Sequence, residues 1–210
     1  AKRYDMLVID HPWTGFGAAS GVLRPLEDIF PAEYLADQAA HSTGASYRSY
    51  TMGGHQLALP IDGATPIALY REDLIGTAEH PLPTTWQELI ALAKSGEVIV
   101  AAAPLYTLLD FFMMCATIAG GEETLYQEKI APDEVAREAL ERQRELLTLC
   151  DPIAFEINPI QVHEMLSGEQ KKFTYCPFVF GYSNYCRPGY STHQLKAHNV
   201  VRYGESMLKT

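Results

Sequence analysis

Residues 54 to 89 constrain this chain more than any other stretch. They read Gly-His-Gln-Leu-Ala-Leu-Pro-Ile-Asp-Gly-Ala-Thr-Pro-Ile-Ala-Leu-Tyr-Arg-Glu-Asp-Leu and, after a short gap, Pro-Thr-Thr-Trp-Gln-Glu-Leu. Gly53 and Gly54 predict a tight turn into an apolar extended run. Residues 60 to 66, bounded by Pro60 and Pro66, interrupt that run with small, kinkable residues. A second extended run follows over residues 67 to 70. Thr85 then opens a helix, with Glu88 three residues on as the partner in a capping box.

The chain has 210 residues, enough for one large domain or two small ones with a good core. Its net charge of -10, from 16 basic and 26 acidic residues, argues against nucleic acid and anionic membrane surfaces, which need concentrated basic charge. No apolar run approaches the ~18 residues of a membrane-spanning helix. No leader is visible, because the chain opens Ala-Lys-Arg-Tyr-Asp. Cys115, Cys150, Cys176 and Cys186 form no Cys-x-x-Cys pair, so neither a structural zinc site nor a thioredoxin-like motif is expected. Cys115 reads as a small buried hydrophobe. Cys176 and Cys186 bracket a turn-rich loop and are spaced to pair if the compartment is oxidising.

Two unbroken apolar runs, residues 5 to 10 and 98 to 103, read as strands buried on both faces, as in a parallel sheet. Helices are predicted over residues 16 to 21, 31 to 40, 105 to 119 (closed by Gly120 and Gly121), 132 to 150, and from the Asn158 cap to Gly168. In the helix over residues 132 to 150, Val135, Ala139, Leu140, Leu146, Leu147 and Cys150 form the inner stripe. Residues 174 to 180 and 200 to 203 read as further strands. Alternating strands and helices give an α/β class with mainly parallel sheets flanked by helices.

The order and spacing of these segments resemble the family 1 extracellular solute-binding proteins, the maltose-binding-protein-like, sugar-binding subunits of ABC importers. The resemblance is carried by Tyr-Asp-Met-Leu-Val-Ile-Asp through Gly-Val-Leu-Arg-Pro-Leu, by Tyr70-Arg71-Glu72-Asp73, and by the helix from Asn158 to Gly168. It implies a periplasmic-binding-protein-like two-lobed fold, incomplete here, because members of the family are close to twice this length. On that basis residues 1–61 are a partial first lobe, 62–66 a hinge crossover, 67–203 the first pass of the second lobe, and 204–210 the start of a return crossover. The resemblance further implies a carbohydrate receptor with ABC permease subunits as partners. It also implies a periplasmic or extracellular location, with membrane anchoring through a removed leader. Sheet edges left open by truncation would favour a homo-oligomer.

A sugar receptor needs flat aromatic platforms and polar groups in a cleft that closes, beyond the carboxyl ends of strands. Four segments meet that description. In the first, Trp13 is a stacking platform and Asp10 and His11 take hydroxyls; alternatively Asp10 caps a turn and Trp13 fills the core. In the second, Asp62 and Thr65 act within the crossover; alternatively Asp62 is a turn residue before Gly63. In the third, Tyr106 is a platform at a helix start, or a core tyrosine. In the fourth, Tyr182, Asn184 and Tyr185 form a recognition loop after Gly181, a glycine that permits an unusual backbone angle; alternatively this is an aromatic core edge.

Rival functions are a solute-binding protein for a non-sugar small molecule and a non-catalytic fragment. An anionic ligand would want arginines in the cleft, and only Arg71 and Arg187 lie near these segments. No catalytic residue, cofactor or metal is expected. Gly181-Tyr182-Ser183-Asn184-Tyr185 lacks the second glycine of a nucleophile elbow. His163-Glu164 has no second histidine four residues on, and His193 and His198 are five apart.

Overall fold

The computed structural model describes residues 4–61, 65–121, 125 and 128–199. The chain divides into two compact units, Ala1–Gly63 and Ala64–Thr210.

The first unit contains α1 (Thr14–Ala19), α2 (Ala32–His41) and a two-stranded antiparallel hairpin, β1 (Thr51–Met52) and β2 (His55–Gln56). Gly53 and Gly54 turn the hairpin with φ of 60° and 82°, the doubly left-handed geometry that glycine adopts without steric cost. Gln56 pins the unit together from its buried position. Its side chain donates to the carbonyls of Tyr47 (2.9 Å) and Ala58 (2.7 Å) and accepts from Thr51 (2.6 Å), while its backbone N–H donates to Glu27 (2.8 Å). Among the described residues of this unit, Leu35 and Leu57 are the large buried apolar side chains.

Residues 5 to 10 depart from expectation. They form no strand, and Met6 and Val8 are 86% and 79% exposed. An apolar run becomes a buried strand only if another backbone pairs with it, and among the described residues none does.

The second unit is a three-layer α/β body. Its sheet, in the order β4-β3-β5, is built from β3 (Pro66–Tyr70), β4 (Tyr175–Phe180) and β5 (Lys196–His198). The helices are α3 (Trp86–Lys94), α4 (Pro104–Ala119), α5 (Asp133–Leu147) and α6 (Pro159–Ser167). Alternate residues along the strands feed two cores. Ala68, Val98, Val100, Ala102, Tyr175 and Phe178 face a cluster with Leu89, Met114, Val135 and Leu146 from α3, α4 and α5. Leu69, Ile99, Ala101, Cys176 and Val179 face a second cluster with Val162 and Leu166 of α6. Strands covered on both faces explain the unbroken apolar runs.

The strand directions correct the expectation of mainly parallel sheets. β3 pairs antiparallel with both β4 and β5, and the parallel pairing described is one bridge, Val98 to Tyr175. Residues 98 to 102 are therefore buried as expected, yet only Val98 enters a ladder. Burial follows from composition, whereas direction is set by which distant segments meet. The β3–β4 register also slips by one residue between Ile67 and Leu69, around Pro177, which has no N–H to give to a ladder.

Local signals hold well. Thr85 and Glu88 form a complete capping box at α3, and Asn158 and Gln161 form another at α6. Gly120 ends α4 in the left-handed region, with φ of 76°. The inner stripe of α5 needs correction. Val135, Ala139 and Leu146 are buried, but Leu140 is 55% exposed, and Glu138 and Gln143 are buried with them. Both polar side chains have partners there: Glu138 accepts from Arg142 (2.7 Å), and Gln143 donates to the carbonyl of Thr107 (2.8 Å). The strand expected over residues 200 to 203 lies outside the described residues. Cys176 and Cys186 are unpaired thiols that pack in the same cluster.

Candidate functional site

Topology gathers one set of candidates at a single edge of the second unit. Val98 runs parallel to Tyr175, so the segment from Val98 and β4 both point their carboxyl ends the same way. The first leads to Tyr106 in the opening turn of α4, and the second to Gly181 and Tyr182. β3 runs the other way, so its start meets the end of β4: Pro66 lies opposite Phe180, and the Gly181 N–H donates to the Thr65 carbonyl (3.3 Å). Thr65, Tyr106, Tyr182 and Asn184 therefore share the rim beyond the carboxyl ends of these segments, the usual ligand edge of an α/β sheet, with Tyr185 just behind it.

Each has a distinct setting. Tyr182 is 38% exposed, and Asn184 and Thr65 are exposed. The Asn184 side-chain amide oxygen, Oδ1, accepts from the Arg187 guanidinium at 3.4 Å. Tyr106 is half-buried against the α6-side core. Tyr185 is buried in that core and donates its hydroxyl to Glu164, so it stands behind the rim and not on it. Burial, and then the Glu164 carboxylate, push the Tyr185 phenol above its ordinary range. Gly181 does not use the backbone freedom open to glycine. Its φ is not positive, and a Cβ there would meet Ile67 Cδ1 at 2.5 Å, so any larger residue would displace the Ile67 side chain.

Beneath the rim lies His163, a residue sequence reasoning left among scattered histidines. It is fully buried, with Nδ1 2.6 Å from the Pro159 carbonyl and Nε2 3.3 Å from the Tyr182 backbone nitrogen. Its ring meets that of Tyr182 edge-on at 5.3 Å and that of Tyr185 at a tilt at 4.8 Å. The i, i+1 pair His163-Glu164 carried no recognisable metal or catalytic spacing, so only the fold could reveal it.

The first unit holds the remaining described candidates on one exposed 3-10 turn, His11–Trp13. Trp13 is 63% exposed and does not fill the core. Asp10 contributes its backbone carbonyl to the Trp13 N–H (3.0 Å) and makes no side-chain cap. His11 stacks edge-on against Tyr50 at 4.9 Å and reaches the Ser49 carbonyl at 3.3 Å. Asp62 lies outside the described residues.

Arg71 is removed from the list of anion ligands. It is fully buried, binds Asp73 with two nitrogens, and donates to the carbonyls of Leu166 and Gly168 at the end of α6 (2.9 and 3.0 Å). Its charge and donors are spent on joining β3 to α6. A groove of about 650 Å³ along α5, lined by Leu140, Leu147, Cys150 and Phe155 among others, shares no residue with the rim. Among the described residues, no group of three or more acidic, histidine or cysteine side chains is arranged to hold a metal ion, and no helix is long and apolar enough to cross a membrane.

Comparison of the sequence with family models and with curated proteins finds no match. Solved structures do match. An ABC transporter solute-binding protein of Agrobacterium radiobacter K84 in complex with ribitol superposes with a TM-score of 0.74 at 19% identity, over 98% of this chain and 54% of that one. The maltose-bound MalE3 of T. maritima gives 0.73 at 16% identity, over 94% and 52%. A solute-binding protein of Thermotoga lettingae TMO bound with α-D-tagatose gives 0.70 at 17% identity, over 92% and 53%. The chain spans about half the length of these structures. Across that span, it has the fold of the ABC transporter solute-binding proteins.

Proposed function

We propose that this chain belongs to a carbohydrate-binding receptor subunit of an ABC-type sugar importer. The observation that carries the reading is the match of nearly the whole chain to solute-binding proteins solved with ribitol, maltose and tagatose. In this reading Tyr182 offers a ring face, and Asn184 and Thr65 offer amide and hydroxyl groups to sugar hydroxyls. Trp13, with Asp10 and His11, is a second platform. Tyr106 flanks the rim, Asp62 acts in the crossover, and Tyr185 serves as a prop for Tyr182. Arg71 is committed to Asp73 and to backbone carbonyls, which leaves Arg187, bonded to Asn184, as the one arginine described beside the rim, and a neutral polyol suits so sparse a set of cations better than an anion.

The role is transport and not catalysis. The receptor works outside the cytoplasm and delivers its ligand to permease subunits, with closure about residues 62–66. Thermal-shift and calorimetric screening of this chain against mono- and oligosaccharides and polyols tests the reading. Stabilisation by sugars or polyols is expected. Stabilisation by amino acids or inorganic anions, with no response to any sugar, would replace it with the non-sugar reading.

A further inference from the structure

Two contacts of His163 fix where its proton sits. The Pro159 carbonyl can only accept, so the Nδ1 that faces it at 2.6 Å carries hydrogen. The Tyr182 backbone N–H can only donate, so the Nε2 that faces it at 3.3 Å is bare. Both bonds exist together in the neutral imidazole alone. A second proton on Nε2 would set two donors against each other and release the Tyr182 backbone. We propose that His163 is the positioning residue of the Tyr182 and Asn184 rim, holding it in shape for ligand as the neutral imidazole and letting it go when protonated. The proposal deepens the sugar-rim reading above and rests on it.

The surroundings of His163 are consistent with such a device. From its own helix, Glu164 is the neighbouring charge; from the rim come the phenols of Tyr182 and Tyr185, with Tyr190 stacked on Tyr185 at 5.1 Å. Glu164 is itself engaged by the Tyr185 hydroxyl, so α6 holds the rim at two successive residues. Burial pulls the His163 pKa below its ordinary 6.5, against the smaller opposing pulls of the Pro159 carbonyl and Glu164. Protonation is thus deferred below the ordinary histidine range, and when it comes it breaks a contact to the very backbone that carries Tyr182.

Nuclear magnetic resonance of the ¹⁵N-labelled chain tests this without any ligand. The imidazole tautomer and the Tyr182 and Asn184 amides are followed between about pH 8 and about pH 5. The expected result is the Nδ1–H tautomer at the alkaline end. Tyr182 and Asn184 resonances should then shift together with His163 protonation, at a midpoint below the ordinary histidine value of 6.5. His163→Gln puts a non-titrating acceptor near Nε2 and should make both amides insensitive to pH over this range. An Nε2–H tautomer, amides that ignore His163 protonation, or the same pH response in H163Q would overturn the proposal. If H163Q does not fold, the wild-type titration alone decides. Maltose and ribitol are then added at both ends of the range. Rim shifts confined to the alkaline end are expected, and equal shifts at both ends would also overturn it. A rim that titrates with His163 but responds to neither compound keeps the positioning role and removes the sugar reading.

Discussion

Arg71 and Asp73 form a two-point ion pair whose halves sit in different media: the guanidinium is fully buried and the carboxylate 46% exposed, with both contacts at 2.7 Å. The pair is asymmetric in consequence. Removing the carboxylate strands a buried cation, whereas removing the cation leaves a carboxylate that water can reach. Asp73→Asn is expected to cost about 3 kcal/mol, the low end of the range for breaking a buried pair because Asp73 is half in water. Arg71 holds the Asp73 carboxyl below its ordinary 3.8. This stability is therefore present above that value and lost as pH falls through the depressed folded value. Urea unfolding of both proteins at several pH values measures it, and equal stability of the two near neutral pH would refute it.

Gly181 and Ile67 make a steric prediction. A Cβ at residue 181 would meet Ile67 Cδ1 at 2.5 Å and Cγ1 at 3.0 Å. Gly181→Ala should cost about 1–3 kcal/mol as an overpacking change. Ile67→Val deletes Cδ1, so the double variant should regain part of that loss. The coupling, read from a four-protein thermodynamic cycle, should be about 1 kcal/mol and favourable. Strict additivity would show that the contact yields freely.

Tyr182 and Tyr185 sit three residues apart and should separate cleanly. Tyr185→Ala removes a buried ring and should cost roughly 3–5 kcal/mol. Tyr182→Ala should cost about 1 kcal/mol or less, the ordinary scale for a surface change, while weakening sugar binding. Melting curves and calorimetry on the two variants check this. The reverse ranking in stability would make Tyr182 the core residue.

Signals that act over a few residues were legible in the sequence. The Thr85–Glu88 and Asn158–Gln161 boxes, the Gly53-Gly54 turn and the αL stop at Gly120 all stand where the chain chemistry put them. What depends on distant partners was not. Residues 5 to 10 have the composition of a buried strand, but no described backbone pairs with them. β3 reads as a strand, yet nothing within it reveals that both its neighbours run antiparallel. The aromatic loop does follow the end of β4, but Tyr182 and Tyr185 have the same chemistry, and only packing against α6 sends one outward and the other in. His163 was missed for a similar reason: its partners, the Pro159 carbonyl and the Tyr182 N–H, are backbone groups with no sequence signature.

Asp110 sets a second pH effect, of opposite sign to that of Asp73. Burial pushes its carboxyl up from 3.8 to about 8. A raised folded value means that stability is complete below 3.8 and is lost as pH rises towards 8. The full shift would correspond to about 6 kcal/mol, and water at this partly buried carboxyl reduces it to about 2 kcal/mol. Asp110→Asn should therefore raise the melting temperature at pH 8 and change it little at pH 4. A uniform effect across pH would separate the substitution from titration.

The most direct test maps ligand shifts on the labelled 210-residue chain. With maltose or ribitol near neutral pH, the resonances of Thr65, Tyr182 and Asn184 should move, with Trp13 joining them. Binding is expected to be weak, because this chain spans about half the length of the solute-binding structures it matches. Shifts confined to residues outside this set, or a rim that responds to phosphate or amino acids and to no sugar, would contradict a carbohydrate receptor.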